Sequence, residues 1–178
     1  MSDVTKKLIT LVLILLIAVV AIIGCVYAVT KINASQSFSD PSSTVNTPDM
    51  SAAEVNKQVI DKMGYTGISE LNSGDISSHI DIPEDSVTQA SVYISDDSSS
   101  AMEIACFKLA NPDNDKEIRA AISDHIAVKV KGFQDSPKES EYIKNYVTAT
   151  TNGYVFLVIS ENADVAAKAF EDTVETVV

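Results

Sequence analysis

The alternation of apolar and polar positions divides the chain into three zones. From Leu8 to Val29 run 22 consecutive uncharged residues, almost all aliphatic, preceded by Lys6 and Lys7. As a helix rising ~1.5 Å per residue, this stretch is long enough to cross the ~30 Å hydrocarbon core of a bilayer. From Ile32 to Asp49 the residues turn to Ser, Thr, Asn and Pro, with Pro41 and Pro48 and almost nothing to bury. That is the composition of a solvated linker. Beyond Ser51 the apolar residues recur at helical and strand periods in alternation.

In this third zone Ser51 and Glu54 have capping-box spacing, and Ala52, Val55, Val59, Ile60 and Met63 follow at helical intervals up to Gly64, a helix stop. Tyr65 to Asp85, rich in Ser, Gly and Asp and broken by Pro83, reads as irregular or short helical turns. Ala90, Val92 and Ile94 alternate with Ser91, Tyr93 and Ser95 at strand period, and Met102 to Leu109 is apolar enough for an interior strand. The two pair most simply as a hairpin through Asp96 to Ser100. A helix from about Asp113 to Val130 follows, started by Pro112 and acidic residues, with Ile118, Ala121, Ile122, Ile126 and Val130 on one side.

After the polar stretch Lys131 to Ser140, two β-rich runs, Tyr142 to Thr150 and Tyr154 to Ser160, flank Asn152 and Gly153, the strongest short hairpin signal. A last helix from about Ala163 to Val177 buries Ala166, Ala169, Phe170, Thr173, Val174 and Val177, with Asn162 as its cap. The order helix, ββ, helix, ββ, helix predicts an α+β, two-layer domain with a roughly four-stranded antiparallel sheet and helices on one face, preceded by an N-terminal transmembrane helix. The expected organisation is an inner arm over residues 1–7, an anchor over 8–29, a flexible linker over 30–50 and a globular domain over 51–178.

Charge sets the orientation. Lys6, Lys7 and the amino terminus lie before the apolar run, and positive residues stay on the cytoplasmic side, so the domain is expected outside a plasma membrane. The chain carries a net charge of −12, and assigning Asp3, Lys6 and Lys7 to the inner side leaves −13 outside. Nucleic acid and anionic headgroups are poor partners for such a surface, because binding them needs Lys and Arg to neutralise phosphates. The expected partners are the membrane itself, through the N-terminal segment, and another envelope protein.

Two cysteines exclude a disulfide framework. Ile22, Ile23, Gly24 and Cys25 resemble a lipobox, in which the chain is cut before a cysteine that then carries lipid. The apolar stretch is longer than the ~7–15 residues of a signal-peptide core and continues past Cys25, which favours an uncleaved span, with lipidation of Cys25 as the alternative. Cys106, alone in an apolar strand, reads as a buried small hydrophobe.

No HExxH, paired-cysteine motif, phosphate loop or nucleotide-binding glycine turn is present, so no catalytic residue, cofactor or metal is expected. Asp113, Asn114 and Asp115 lack the glycine and distant glutamate of a calcium loop and read as helix-capping residues. His79 lies beside Ser77, Ser78 and Asp81 without a nucleophile-elbow sequence, and His125 sits near the apolar side of its helix. Glu103, a carboxylate in an otherwise apolar strand, calls for an edge position, a raised pKa, or a partner such as Lys108 or Arg119.

Ser91 to Ser95, Met102 to Lys108, the helix beginning near Asp115, and Asn152 to Val155 leading into Leu157 to Ser160 together resemble the family of domain of unknown function 4358. That resemblance implies an anchored or lipidated extracytoplasmic protein of Firmicutes, especially Clostridia, and implies no activity. The expected function is a non-catalytic interaction or binding module at the bacterial cell envelope. The alternatives are an envelope hydrolase and a solute- or peptide-binding lipoprotein.

Overall fold

Capping and turn chemistry set the element boundaries. A computed structural model of the chain describes residues 50–175. The apolar run 8–29, Cys25, the linker up to residue 49 and Val177 lie outside the described residues. Helix α1, Ala52–Met63, begins with the expected box: the Ser51 hydroxyl accepts from the Glu54 amide and the Glu54 carboxylate accepts from the Ser51 amide. It ends at Gly64, whose φ of +65° is left-handed. A Cβ at Gly64 would meet no atom within 4 Å. Gly64→Ala should therefore cost about 1 kcal/mol in backbone conformation alone, read as a shift in the denaturation midpoint.

Strand β1, Ile68–Glu70, precedes the short helix α2, Ser73–His79. Strands β2, Val87–Ser95, and β3, Glu103–Leu109, form the expected hairpin. Helix α3, Asp115–Gly132, follows a 3-10 turn that opens at Pro112, and helix α4 spans Pro137–Lys144. Strands β4, Val147–Thr151, and β5, Tyr154–Ile159, are joined by Asn152 (φ 50°) and Gly153 (φ 79°), two successive left-handed residues as a primed hairpin turn requires. Helix α5, Ala163–Glu175, closes the described chain. Among the described residues no helix is long and apolar enough to cross a membrane.

The sheet has five strands in the order β1-β2-β3-β5-β4, every pair antiparallel. Four of these strands match the sequence reading, and β1 adds the fifth by pairing Ile68, Ser69 and Glu70 with Ser95, Ile94 and Tyr93. The expectation of two layers with helices on one face is corrected. Ile104, Cys106, Tyr154, Phe156 and Val158 pack with α1 and α5 on one face. Ala105, Phe107, Val155, Leu157 and Ile159 pack with α2, α3 and α4 on the other. The cause lies in β5, whose six residues are all buried: successive strand residues point to opposite faces, so a strand buried throughout needs a layer on each side.

The run from Tyr142 is corrected as well. Pro137 at the first turn pre-sets helical φ and Ile143 is fully buried, so Tyr142 to Lys144 end α4 and the strand begins only at Val147.

Candidate functional site

Glu103 opens β3 on the face covered by α3, and the register sets Ile94 and Ile159 directly beside it on the flanking strands. Its side chain is completely buried. An unpaired carboxylate there would cost several kcal/mol in lost hydration. Three donors from two helices meet that demand at one oxygen.

Helix α3 supplies two of them. Arg119 ties the start of α3 to β4 by donating to Thr148 Oγ1 (2.9 Å) and Thr150 Oγ1 (2.7 Å) while Asp115 holds its Nε at 2.9 Å. Ile118, Ile122 and Ile126 lie against the sheet, and His125 and Lys129, four residues apart, share that side of the helix. Lys129 Nζ donates to Glu103 Oε2 at 2.5 Å and His125 Nε2 lies 3.1 Å from the same atom. His79, the last residue of α2, brings its Nε2 to 3.1 Å of Oε2. The two imidazole rings are 4.8 Å apart and tilted by 58°.

Burial falls off outward, from Glu103 through His125 and Lys129 to His79, whose side chain is 28% exposed. The cluster thus has a buried anion at its base and His79 and Lys129 at its mouth. Burial by itself pushes the Glu103 carboxyl up, but hydrogen bonds from His125 and His79 and the charge of Lys129 outweigh it. The carboxyl is held well below the usual carboxylate range. An acid so firmly ionised is a poor proton donor at neutral pH and a strong anchor for cations and N–H donors.

One carboxylate oxygen is left over. His125 Nε2 approaches Oε1 to 2.9 Å, yet hydrogen-bond geometry is met only at Oε2. Oε1 is one of two buried side-chain oxygens without a hydrogen-bond partner among the described residues, the other being Asn56 Oδ1. One ring nitrogen each of His79 and His125 and a Glu103 oxygen lie within 4.8 Å of one another, a spacing at which they could share a metal ion.

The sequence expectations for these residues divide. His79 faces Glu103 and His125, and among the described residues it makes no hydrogen bond to Ser77, Ser78 or Asp81. Glu103 is neither an edge residue nor exposed, and its pKa moves down. Its partners are not Lys108, which donates to the Met50 carbonyl at 3.2 Å, nor Arg119, which is engaged with Asp115. Cys106 is buried as expected, and burial pushes its thiol far up, which leaves it unreactive. Asp113 lies in the 3-10 turn that leads into α3. Two surface grooves, of about 340 and 330 Å³, line up with Asn72, Ser73 and Ile76 and with Tyr146, Val147 and Ser160 respectively, and neither includes a residue of the cluster.

Sequence reasoning missed the convergence of His79, His125 and Lys129 on Glu103. A signal was present on α3: His125 and Lys129 stand three and seven residues after Ile122, on its buried stripe, where a histidine and a lysine need an anionic partner across the interface.

A family model described as domain of unknown function (DUF4358) matches residues 61–160. The chain belongs to this family. Neither the curated proteins nor the solved structures give a match. The span shared with DUF4358 holds all five strands and all four residues of the cluster, whereas α5 lies outside it.

Proposed function

We propose that this chain is a single-pass, membrane-anchored protein of the bacterial cell envelope whose extracytoplasmic domain acts by binding and not by catalysis. The observation that carries this reading is how the titratable cluster is used. Both imidazoles and the lysine of the site are directed at one fully buried carboxylate, and no hydroxyl or thiol is hydrogen-bonded to either imidazole among the described residues. That is the carboxylate-and-histidine half of a nucleophilic site without its nucleophile.

The uncharged run 8–29 behind Lys6 and Lys7 supports the anchor, and the polar linker supports a domain standing off the bilayer. The net charge of −12 favours a protein partner over nucleic acid. Helices cover both faces of the sheet, and among the described residues no strand pairs with the outer edges of β1 and β4, which are therefore the backbone surfaces proposed to receive one.

Protease added to intact cells making the full chain should release the domain while a cytoplasmic marker survives. The intact mass of the membrane-extracted chain then separates the uncleaved form from one cut before Cys25 and diacylated. Photocrosslinkers at the exposed Ser69 and Thr150, on the two edges, should trap a discrete envelope protein. A domain protected until the cells are lysed overturns the orientation. No adduct from either edge overturns the binding role.

A further inference from the structure

We propose that His79, Glu103 and His125 form a binding site for a divalent transition-metal ion of the zinc class, for which the Lys129 ammonium is the built-in competitor. The inference goes beyond the binding role above and does not depend on it or on the side of the membrane the domain occupies.

Four observations carry it. The donors are two imidazole nitrogens and one carboxylate oxygen, a set that suits zinc and its first-row neighbours. Both imidazoles bring Nε2 to 3.1 Å of the same carboxylate oxygen, Glu103 Oε2. Glu103 Oε1 is fully buried, lies 2.9 Å from His125 Nε2 and accepts no hydrogen bond, so it keeps lone pairs for an ion. And a cation already sits there, since Lys129 Nζ lies 2.5 Å from Oε2.

Geometry sets what must move. Metal–ligand bonds of about 2.0–2.2 Å in a tetrahedral site place the ligands roughly 3.5 Å apart, whereas each imidazole Nε2 already lies 3.1 Å from Glu103 Oε2 and the three ligand atoms span up to 4.8 Å. The widest of these separations must close by about an ångström. His79 is placed to supply that contraction, because it ends a seven-residue helix and is the most exposed member of the cluster. Each imidazole must turn a lone pair inward, so Nε2 gives up its role as donor to Oε2 and the ring proton moves to Nδ1. The ion then replaces the hydrogen bonds that Glu103 loses.

Lys129 cannot stay. Its ammonium occupies the volume beside Oε2 and repels a second cation. Its side chain is 12% exposed at the mouth and lies in the last turn of α3, so its four-carbon stem can swing the ammonium into water. Metal and ammonium are thus alternative counter-ions for one buried carboxylate. Affinity is set by their competition, and the lysine keeps the domain folded when no ion is bound.

The test is a cobalt(II) titration of the purified full-length chain in detergent micelles, followed by ligand-field absorption, with zinc added afterwards as a displacer. The expected result is one ion per chain, displaced by zinc. Lys129→Met should tighten binding at least about tenfold, the equivalent of ~1.4 kcal/mol. His79→Ala, at the exposed rim, should weaken it by a similar factor while circular dichroism shows the domain still folded. If Lys129→Met does not fold, Lys129→Gln takes its place. Absence of the cobalt spectrum in the unmodified chain overturns the proposal, including the case in which only a Lys129 variant binds. Binding that His79→Ala leaves unchanged also overturns it.

Discussion

Glu103→Ala should destabilise the domain by about 3–5 kcal/mol, the cost of removing one partner from a buried ion pair and leaving the other behind. Lys129 would keep its charge at a 12% exposed position with nothing to neutralise it, and the Nε2 groups of His79 and His125 would lose their common acceptor. Truncation also opens a void between Ile94 and Ile159. An exposed pair such as Lys168–Asp172 is worth far less, because water screens both ends. Chemical denaturation of the full chain, followed by far-ultraviolet circular dichroism, measures the loss.

The same residue governs the acid side of the stability curve. The carboxyl titrates at its ordinary value of 4.5 in the unfolded chain and well below that in the folded one. The unfolded state therefore takes up the proton first as the pH falls. The stabilisation is complete above pH 4.5 and is lost progressively below it, towards the folded pKa. Glu103→Gln keeps the side-chain shape but has no proton to bind. Its stability should fall less steeply between neutral pH and the acid limit, from a lower starting value. An acid limb as steep as that of the unmodified protein would assign the dependence to other carboxylates.

Phe156→Ala should cost about 3–5 kcal/mol, the range for deleting a large aromatic from a packed core. Phe156 is fully buried on β5 and stacks on Phe170 of α5, with ring centroids 4.7 Å apart and planes within 5°. It therefore joins the central sheet to the last helix, which lies outside the part of the chain matched by the family model. The variant loses the transferred area of the ring, the stacking contact and the packing of Phe170, because neighbouring side chains relax only partly into the hole. The effect should appear as a lower denaturation midpoint with little change in slope. A loss below about 1 kcal/mol would mean that α5 contributes little to the core.

How much of this was legible in the chain depends on the range of the forces involved. Ser51, Glu54 and Gly64 act within one helix, and Asn152 and Gly153 within one turn, so their roles can be read locally and agree with the structure. Strand β1 left no such trace: it is three residues long, mostly exposed, and becomes a strand only by pairing with β2 some 25 residues away. Helix α4 was hidden because Tyr142 and Ile143 favour strands, and burial of Ile143 overrides that preference. The second helical layer was in fact written in Tyr154 to Ile159, an unbroken apolar run that one covered face does not explain.

The candidate site was half legible. Glu103 stood out as a charge in an apolar strand, which is a local anomaly. Its true partners are 22, 24 and 26 residues away on two helices. Only the packing of α2 and α3 on the same face of the sheet brings them together. Lys108 and Arg119 were attractive as near neighbours in sequence or charge, but Lys108 points to the opposite face and Arg119 is held by Asp115. In a strand, parity decides which partners are reachable before charge does.

A buried Glu103 stays ionised because two histidines and a lysine hold it. The most direct test is the carbon-13 shift of the Glu103 carboxyl in the full-length chain, assigned by comparison with Glu103→Gln and followed from neutral pH into acid. A carboxylate shift should persist well below the pH at which the exposed glutamates have titrated, for as long as the domain stays folded. A carboxyl that is protonated at neutral pH, or that titrates along with the surface glutamates, would contradict it.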